Sequence, residues 1–223
     1  MKRTKLRDRT LPDYTLGEEI FNYVTHIVGA ALGAAYLTLA VIIAAFHGNV
    51  WGVVGSSIYG ASVTVLFTIS AVYHALHPST AKKVLQVLDH CTIFFMIAGS
   101  YTPIAFCTVR GVSRALGWVV FGIIWATAVL GIVLNAIDLE KYQLFSMFSY
   151  VGMGWCIVLT APWVFGRLGL FGTVFLVGGG ILYSIGAVFF VLGKNKRFAH
   201  SVFHIFVVLG SVAHFFCIAF FVV

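Results

Sequence analysis

Residues 198–223 read FAHSVFHIFVVLGSVAHFFCIAFFVV. This stretch is apolar and longer than the roughly 20 residues that cross a bilayer as a helix. It nevertheless carries three histidines, His200, His204 and His214. A polar ring in hydrocarbon costs free energy unless it is hydrogen-bonded, paired or ligated. The stretch therefore predicts a transmembrane helix in which some partner holds the histidines.

The rest of the chain repeats the apolar pattern. Of its 223 residues, 61% are hydrophobic and 9% charged, and the mean hydropathy of +1.01 lies outside the range of soluble domains. Short polar breaks predict an all-α integral membrane bundle of seven transmembrane helices, with neighbours antiparallel. We expect residues 1–19 to form a basic cytoplasmic segment and residues 20–223 a single transmembrane domain. The predicted spans are Ile20–Phe46, Val50–Leu76, Val84–Thr108, Ala115–Ile137, Leu144–Phe165, Leu168–Leu192 and Phe198–Val223.

Basic residues divide unevenly between the two ends of the predicted bundle. The end that holds the N-terminus carries Lys2, Arg3, Lys5, Arg7, Arg9, Lys82, Lys83, Lys141, Lys194, Lys196 and Arg197, and the other end carries Arg110, Arg114 and Arg167. The positive-inside rule then predicts a cytoplasmic N-terminus and an external C-terminus in the plasma (inner) membrane. A net charge of +7 can indicate nucleic-acid binding. This distribution instead favours a role in topology and contact with anionic lipid, so no nucleic-acid partner is expected.

Four ionisable groups converge at one depth. His74 lies near the end of the second span, Asp89 near the start of the third, and His200 and His204 near the start of the seventh. The predicted topology places each within roughly 5–10 Å of the cytoplasmic boundary. His200 and His204 share a helix face, as zinc ligands on a helix do. With His74 they make three imidazoles and leave a fourth position open, as in catalytic zinc sites, so the predicted cofactor is Zn²⁺.

Other polar residues suit supporting roles around this site. Asp89 could orient and deprotonate a water molecule as the general base. Ser70, one turn before His74, could hydrogen-bond the carboxylate or the reacting group, or bond back to its own helix. Glu19, Asn22 and His26 form a stripe on the first span that could support the ligands from outside. A favourable helix dipole is the alternative explanation for Glu19.

Two other uses of intramembrane histidines fit less well. A proton relay usually needs groups through the whole membrane depth, and only His214 lies in the outer half. Haem needs axial ligands from opposite sides of the ring, which two histidines one turn apart on a single helix cannot provide. Metal binding is therefore the favoured interpretation.

The ordered motifs resemble the progestin and adiponectin receptor family, in particular its bacterial hemolysin III branch. They are S-x-x-x-H at Ser70 and His74, the aspartate Asp89 in LDHCTIFFMIAGSYTPI, H-x-x-x-H at His200 and His204, and EEIFNYVTHIVG in the first span. The resemblance runs from about Glu18 to Phe215. It implies a seven-helix bundle with zinc near the cytoplasmic face, held by the three histidines, and Asp89 contacting the zinc-bound water. It also implies kinship in motif with alkaline ceramidases, which hydrolyse a lipid amide.

The leading interpretation is a zinc-dependent hydrolase of a lipid amide or ester bond, with a membrane lipid as substrate or ligand. One alternative is a non-enzymatic membrane sensor or receptor with structural zinc. Another is a hemolysin-type pore, although a channel should show polar residues through the whole membrane depth. The sequence indicates neither the substrate nor the oligomeric state.

Overall fold

The computed structural model describes residues 3–193 and 195–223, and every regular element in these ranges is helical. The helices are α1 (Leu16–Phe46), α2 (Val50–Ala75), α3 (Thr80–Pro103), α4 (Arg114–Asp138), α5 (Gln143–Trp155), α6 (Ala161–Leu192) and α7 (Ala199–Cys217). Shorter helical pieces are Leu6–Asp8 before α1, Ile104–Val109 and Arg110–Val112 after α3, Cys156–Thr160 between α5 and α6, and Ile218–Val222 after α7.

Six helical stretches of the described chain are long and apolar enough to cross a membrane, where the sequence predicted seven. The two counts differ because the predicted spans Leu144–Phe165 and Leu168–Leu192 belong to one stretch of 50 residues, Gln143–Leu192. Within α6, Gly169 leaves helical geometry, at φ 64° and ψ −172°. In a straight helix Trp155 and Ser184 would lie about 40 Å apart. Trp155 Nε1 instead donates to Ser184 Oγ at 2.9 Å, so the two arms of this stretch lie side by side.

Side-chain caps fix where the helices begin. Thr15 accepts a hydrogen bond from the Glu18 backbone, and the Glu18 carboxylate accepts one in return from the Thr15 backbone at 2.8 Å. This capping box satisfies backbone donors that the helix itself leaves unpaired. Helix α1 therefore begins at Leu16, about one turn before the predicted span. Ser79 caps α3 in a similar way.

Contacts between loops show which chain segments share an end of the bundle. At one end, Arg197 donates to the Asp13 carbonyl at 2.6 Å, so the N-terminal segment lies beside the connection between α6 and α7. At the other end, His47 Nδ1 lies 3.1 Å from the Val223 carbonyl. We call these the inner and outer ends. The N-terminal segment and the C-terminus thus lie at opposite ends of the bundle.

Two buried clusters form the core. One contains Tyr59 and Phe67 and joins α1, α2 and α7. The other contains Phe94 and Ile124 and joins the four helices α3, α4, α5 and α6. Helix α7 packs against both α1 and α6, which places it between the clusters. Side chains on its first turns therefore face α2 and α3 across the centre of the bundle.

Candidate metal centre

Three histidines meet at the inner end of the bundle. His74 comes from the last turn of α2, and His200 and His204 come from the first turns of α7. One nitrogen from each ring lies within 4.8 Å of the other two, and all three residues are buried. The Nε2 atoms of His200 and His204 are 3.1 Å apart. Tetrahedral zinc separates its nitrogen ligands by about 3.4 Å, so the spacing of the His200 and His204 nitrogens is close to what one ion requires.

The hydrogen bonding of His74 fits a metal ligand. Its Nδ1 lies 2.6 Å from Glu19 Oε2. Since a carboxylate only accepts, Nδ1 carries a proton, and in a neutral ring Nε2 then keeps its lone pair. That Nε2 atom is buried and has no hydrogen-bond partner in the described chain. A carboxylate behind an imidazole is the usual arrangement around ligating histidines, and three neutral imidazoles suit zinc and neighbouring divalent ions. The residues present therefore fit a metal ion.

The predicted stripe on α1 faces this cluster. Besides Glu19, Asn22 packs beside His74: its amide nitrogen lies 3.4 Å from Nδ1, and because both nitrogens carry hydrogen this is a packing contact. The ring of His26 stacks on that of His204, with centroids 3.7 Å apart and planes inclined by 21°. The hydrogen bond to His74 explains why residue 19 is acidic more directly than the helix dipole does. The stripe therefore supports two of the three candidate ligands.

Asp89 and Ser70 lie beside the cluster and line a cavity of about 160 Å³ together with His200 and His204. In the described chain, no hydrogen bond joins Asp89 to the three candidate ligands, and its carboxylate lies 3.7 Å from His90 Nδ1. Ser70 is buried, and among the described residues its hydroxyl makes no bond to the preceding turn. Both side chains can therefore contact a molecule that binds in the cavity.

Tyr14 covers the cluster from the inner end, a contact that the sequence did not suggest. Its ring stacks on His200 with centroids 4.9 Å apart and lies 5.7 Å from that of His74. Burial raises the pKa of the Tyr14 phenol far above its usual value, and the Glu19 carboxylate adds to the effect. The phenol therefore stays protonated and presents an uncharged ring to the histidines.

The N-terminal segment is fastened over the cluster by Glu18. The carboxylate of this residue accepts hydrogen bonds from the Phe198 backbone at 2.7 Å and from Arg197 at 3.3 Å. These bonds connect the start of α1 to the start of α7, where two of the candidate ligands lie. The sequence-based prediction of a lipid-facing segment did not include this contact with the site.

The remaining intramembrane histidines have backbone partners. His90 Nδ1 lies 2.9 Å from the Gln86 carbonyl, although the residue also lines the cavity. His214 Nε2 lies 3.2 Å from the Leu176 carbonyl on α6. His214 therefore joins α7 to α6, as expected of a helix-contact residue.

The cavity continues from the histidine cluster towards the outer end. It is bounded along α7 by His200 at one end and His214 at the other, a distance of about 21 Å. Apolar side chains such as Leu66, Ile93 and Met96 form much of its wall. The cavity is therefore long, mainly apolar, and polar at the end where the candidate ligands lie.

These features define a class: a multi-pass helical membrane protein whose inner end buries a three-histidine site at the head of an apolar cavity. The sequence profile described as Haemolysin-III related matches residues 14–215. The chain belongs to that family and is a multi-pass cell-membrane protein. This confirms the family resemblance predicted from the motifs.

Three relatives illustrate the breadth of the family. Hemolysin-3 of Bacillus cereus is 38% identical over 205 residues, which cover 92% of each chain. The hemolysin-3 homolog of Bacillus subtilis is 35% identical over 210 residues, covering 94% of this chain and 97% of the relative. The human monocyte to macrophage differentiation factor is 30% identical over 92% of this chain and 84% of its own. The likeness thus extends over nearly the whole chain in both bacterial and human relatives.

Proposed function

We propose that this protein is a zinc-dependent membrane hydrolase that cleaves an amide or ester bond of a lipid. The observation that carries the proposal is the convergence of one nitrogen each from His74, His200 and His204 within 4.8 Å, next to the polar end of an apolar cavity. The buried Nε2 of His74 has no hydrogen-bond partner among the described residues. His74, His200 and His204 would hold the ion. When bound, zinc polarises a carbonyl and makes a water molecule easier to deprotonate.

The surrounding side chains suit hydrolysis of an acyl bond. Asp89 takes a proton from the attacking water as its oxygen bonds to the carbonyl carbon, and returns that proton to the departing amine or alcohol. Ser70 donates a hydrogen bond to the substrate oxygen that gains negative charge. The apolar wall of the cavity holds the hydrocarbon chain and keeps bulk water from the reacting carbon.

We also propose that the 50-residue stretch Gln143–Leu192 crosses the membrane twice, which gives seven crossings. A straight helix of this length would extend about 75 Å, more than twice the hydrocarbon thickness. The positive φ of Gly169 and the bond between Trp155 and Ser184 support a reversal of the chain. Together with the basic residues at the inner end, this supports a cytoplasmic N-terminus and an external C-terminus.

The direct test combines metal content with turnover. Purified protein should contain close to one zinc ion per chain by mass spectrometry and should hydrolyse at least one lipid from a panel of ceramides and phospholipids. Asp89→Asn should keep its zinc and lose about 10²- to 10⁴-fold in turnover. Protein without zinc would refute the site. Full zinc with no turnover on any lipid would refute the hydrolase and favour a sensor with structural zinc.

Membrane lysis is a second candidate, favoured by the name of the Bacillus cereus relative, hemolysin-3. A water-filled pore needs polar side chains through the membrane depth, whereas much of the cavity wall beyond the histidines is apolar. We therefore place hydrolysis first. Dye leakage from liposomes that persists in His200→Ala and His204→Ala variants would reverse this order.

A further inference from the structure

Lys82 is buried in an unusual place. It lies in the first turn of α3 and is only 4% exposed. A cation there faces the positive end of the helix dipole, which disfavours it, and its burial removes hydration. The neighbouring Lys83 is partly exposed and donates to the Arg7 carbonyl at 2.7 Å. The two lysines therefore differ in environment, although both add to the basic charge of the inner end.

The partners of Lys82 lead directly to the metal centre. Its Nζ lies 2.6 Å from Glu19 Oε1, while the other oxygen of the same carboxylate lies 2.6 Å from His74 Nδ1. Nζ also donates to the Leu76 carbonyl at 2.8 Å, just beyond the end of α2. Lys82 thus fastens both the carboxylate behind His74 and the helix end that carries His74.

We propose that Lys82 is a positioning residue for the metal centre, acting through Glu19 to keep the proton of His74 on Nδ1 and to aim Nε2 at the other two imidazoles. The inference builds on the proposed zinc site. With Lys82 in place, both carboxylate oxygens have fixed partners, so Glu19 can accept from His74 in only one orientation. Without it, the carboxylate is free to turn and the end of α2 loses a donor for an orphan carbonyl.

The matched variants are Lys82→Met and Lys83→Met, which remove the same charge one residue apart. Lys82→Met should weaken zinc binding about 10- to 100-fold in competition with a chelator, as loss of a group behind a ligand usually does. Lys83→Met should bind zinc like the wild type. Lys82→Arg, which keeps a donor to Glu19, should recover part of the affinity. Equal affinity in the Lys82→Met and Lys83→Met proteins would overturn the proposal.

A second readout needs no metal. Nitrogen-15 NMR of histidine-labelled protein in lipid, with His74 assigned from a His74→Gln variant, should show protonation at Nδ1 in the metal-free wild type and in Lys83→Met. Lys82→Met should show a mixture of the two tautomers. An unchanged His74 tautomer would refute the role of Lys82 even if zinc binds. If the wild type binds no zinc but Lys82→Met still shows the mixture of tautomers, the proposed function is refuted and the effect of Lys82 on His74 stands.

Discussion

The two ends of α7 carry buried histidines in opposite situations. Near the outer end, His214 has a backbone partner, the Leu176 carbonyl. Near the inner end, the Nε2 atoms of His200 and His204 are 3.1 Å apart, and the nearby His74 has a buried nitrogen with no partner in the part of the chain that the structure describes. A single histidine that hydrogen-bonds to a backbone carbonyl has a partner for its polar ring nitrogen and links two helices. A group of imidazoles whose nitrogens converge needs a further atom between them, and this difference separates a packing residue from a candidate ligand.

The strongest test of this difference is metal content. His200→Ala and His204→Ala should each reduce zinc from about one ion per chain to near none, because two imidazoles hold zinc far more weakly than three. His214→Ala should keep its zinc, since that ring bonds to the backbone. Mass spectrometry of the purified variants measures the effect. Equal zinc in all three would contradict the division of α7 into two roles.

The same contrast applies to two serines of α2. Ser57 donates to the Val53 carbonyl at 2.8 Å, whereas Ser70 lines the cavity. If the Ser70 hydroxyl stabilises charge on the substrate, Ser70→Ala should lower lipid turnover about 10²- to 10³-fold with zinc unchanged. Ser57→Ala is the matched control and should retain full turnover. A Ser70→Ala protein as active as this control would remove Ser70 from the mechanism.

The sequence predicted an all-helical membrane protein and named the three histidines that the structure brings together. Histidine spacing on α7 and the common depth of His74 and Asp89 are local properties that follow from helix geometry. The structure groups His74 with His200 and His204, and Asp89 lines a cavity together with the two α7 histidines. The predicted break between the spans Leu144–Phe165 and Leu168–Leu192, at Gly166 and Arg167, was less successful. Both residues stay helical and the chain departs from helical geometry at Gly169, because one positive φ is enough to turn the chain without a polar loop.

Contacts between distant segments could not be predicted. In the sequence, Lys82 is one of several basic residues at the inner end, and nothing links it to its partner Glu19, which lies 63 residues away. Tyr14 appeared to belong to a basic tail, and only the folded chain places its ring on His200. A local signal did exist for the start of α1: Thr15 and Glu18 have the spacing of a capping box, which fixes the helix start and orients the residues before it.

The packing role of His214 predicts a loss of stability without a loss of metal. A methyl group at Gly179 on α6 would collide with the His214 ring, whereas one at Gly178 would meet nothing within 4 Å. Gly179→Ala should therefore lower the free energy of unfolding by about 1–3 kcal/mol, and Gly178→Ala should not. Both variants should keep their zinc. Thermal or denaturant unfolding in detergent measures the difference. A Gly179→Ala protein as stable as Gly178→Ala would show that the contact between Gly179 and the His214 ring is not tightly packed.

The smallest expected effect concerns the cover at the inner end. Because the Tyr14 ring lies on His200 and close to His74, its removal should let a water-soluble chelator reach the ion more easily. Tyr14→Ala should release zinc a few-fold faster than wild type, with the same zinc content at equilibrium, since Tyr14 supplies no ligand atom. Tyr14→Phe keeps the stacked ring and should release zinc at the wild-type rate. Identical release rates in Tyr14→Ala and Tyr14→Phe would mean that chelator and ion meet through the cavity instead, on the side of Asp89 and Ser70.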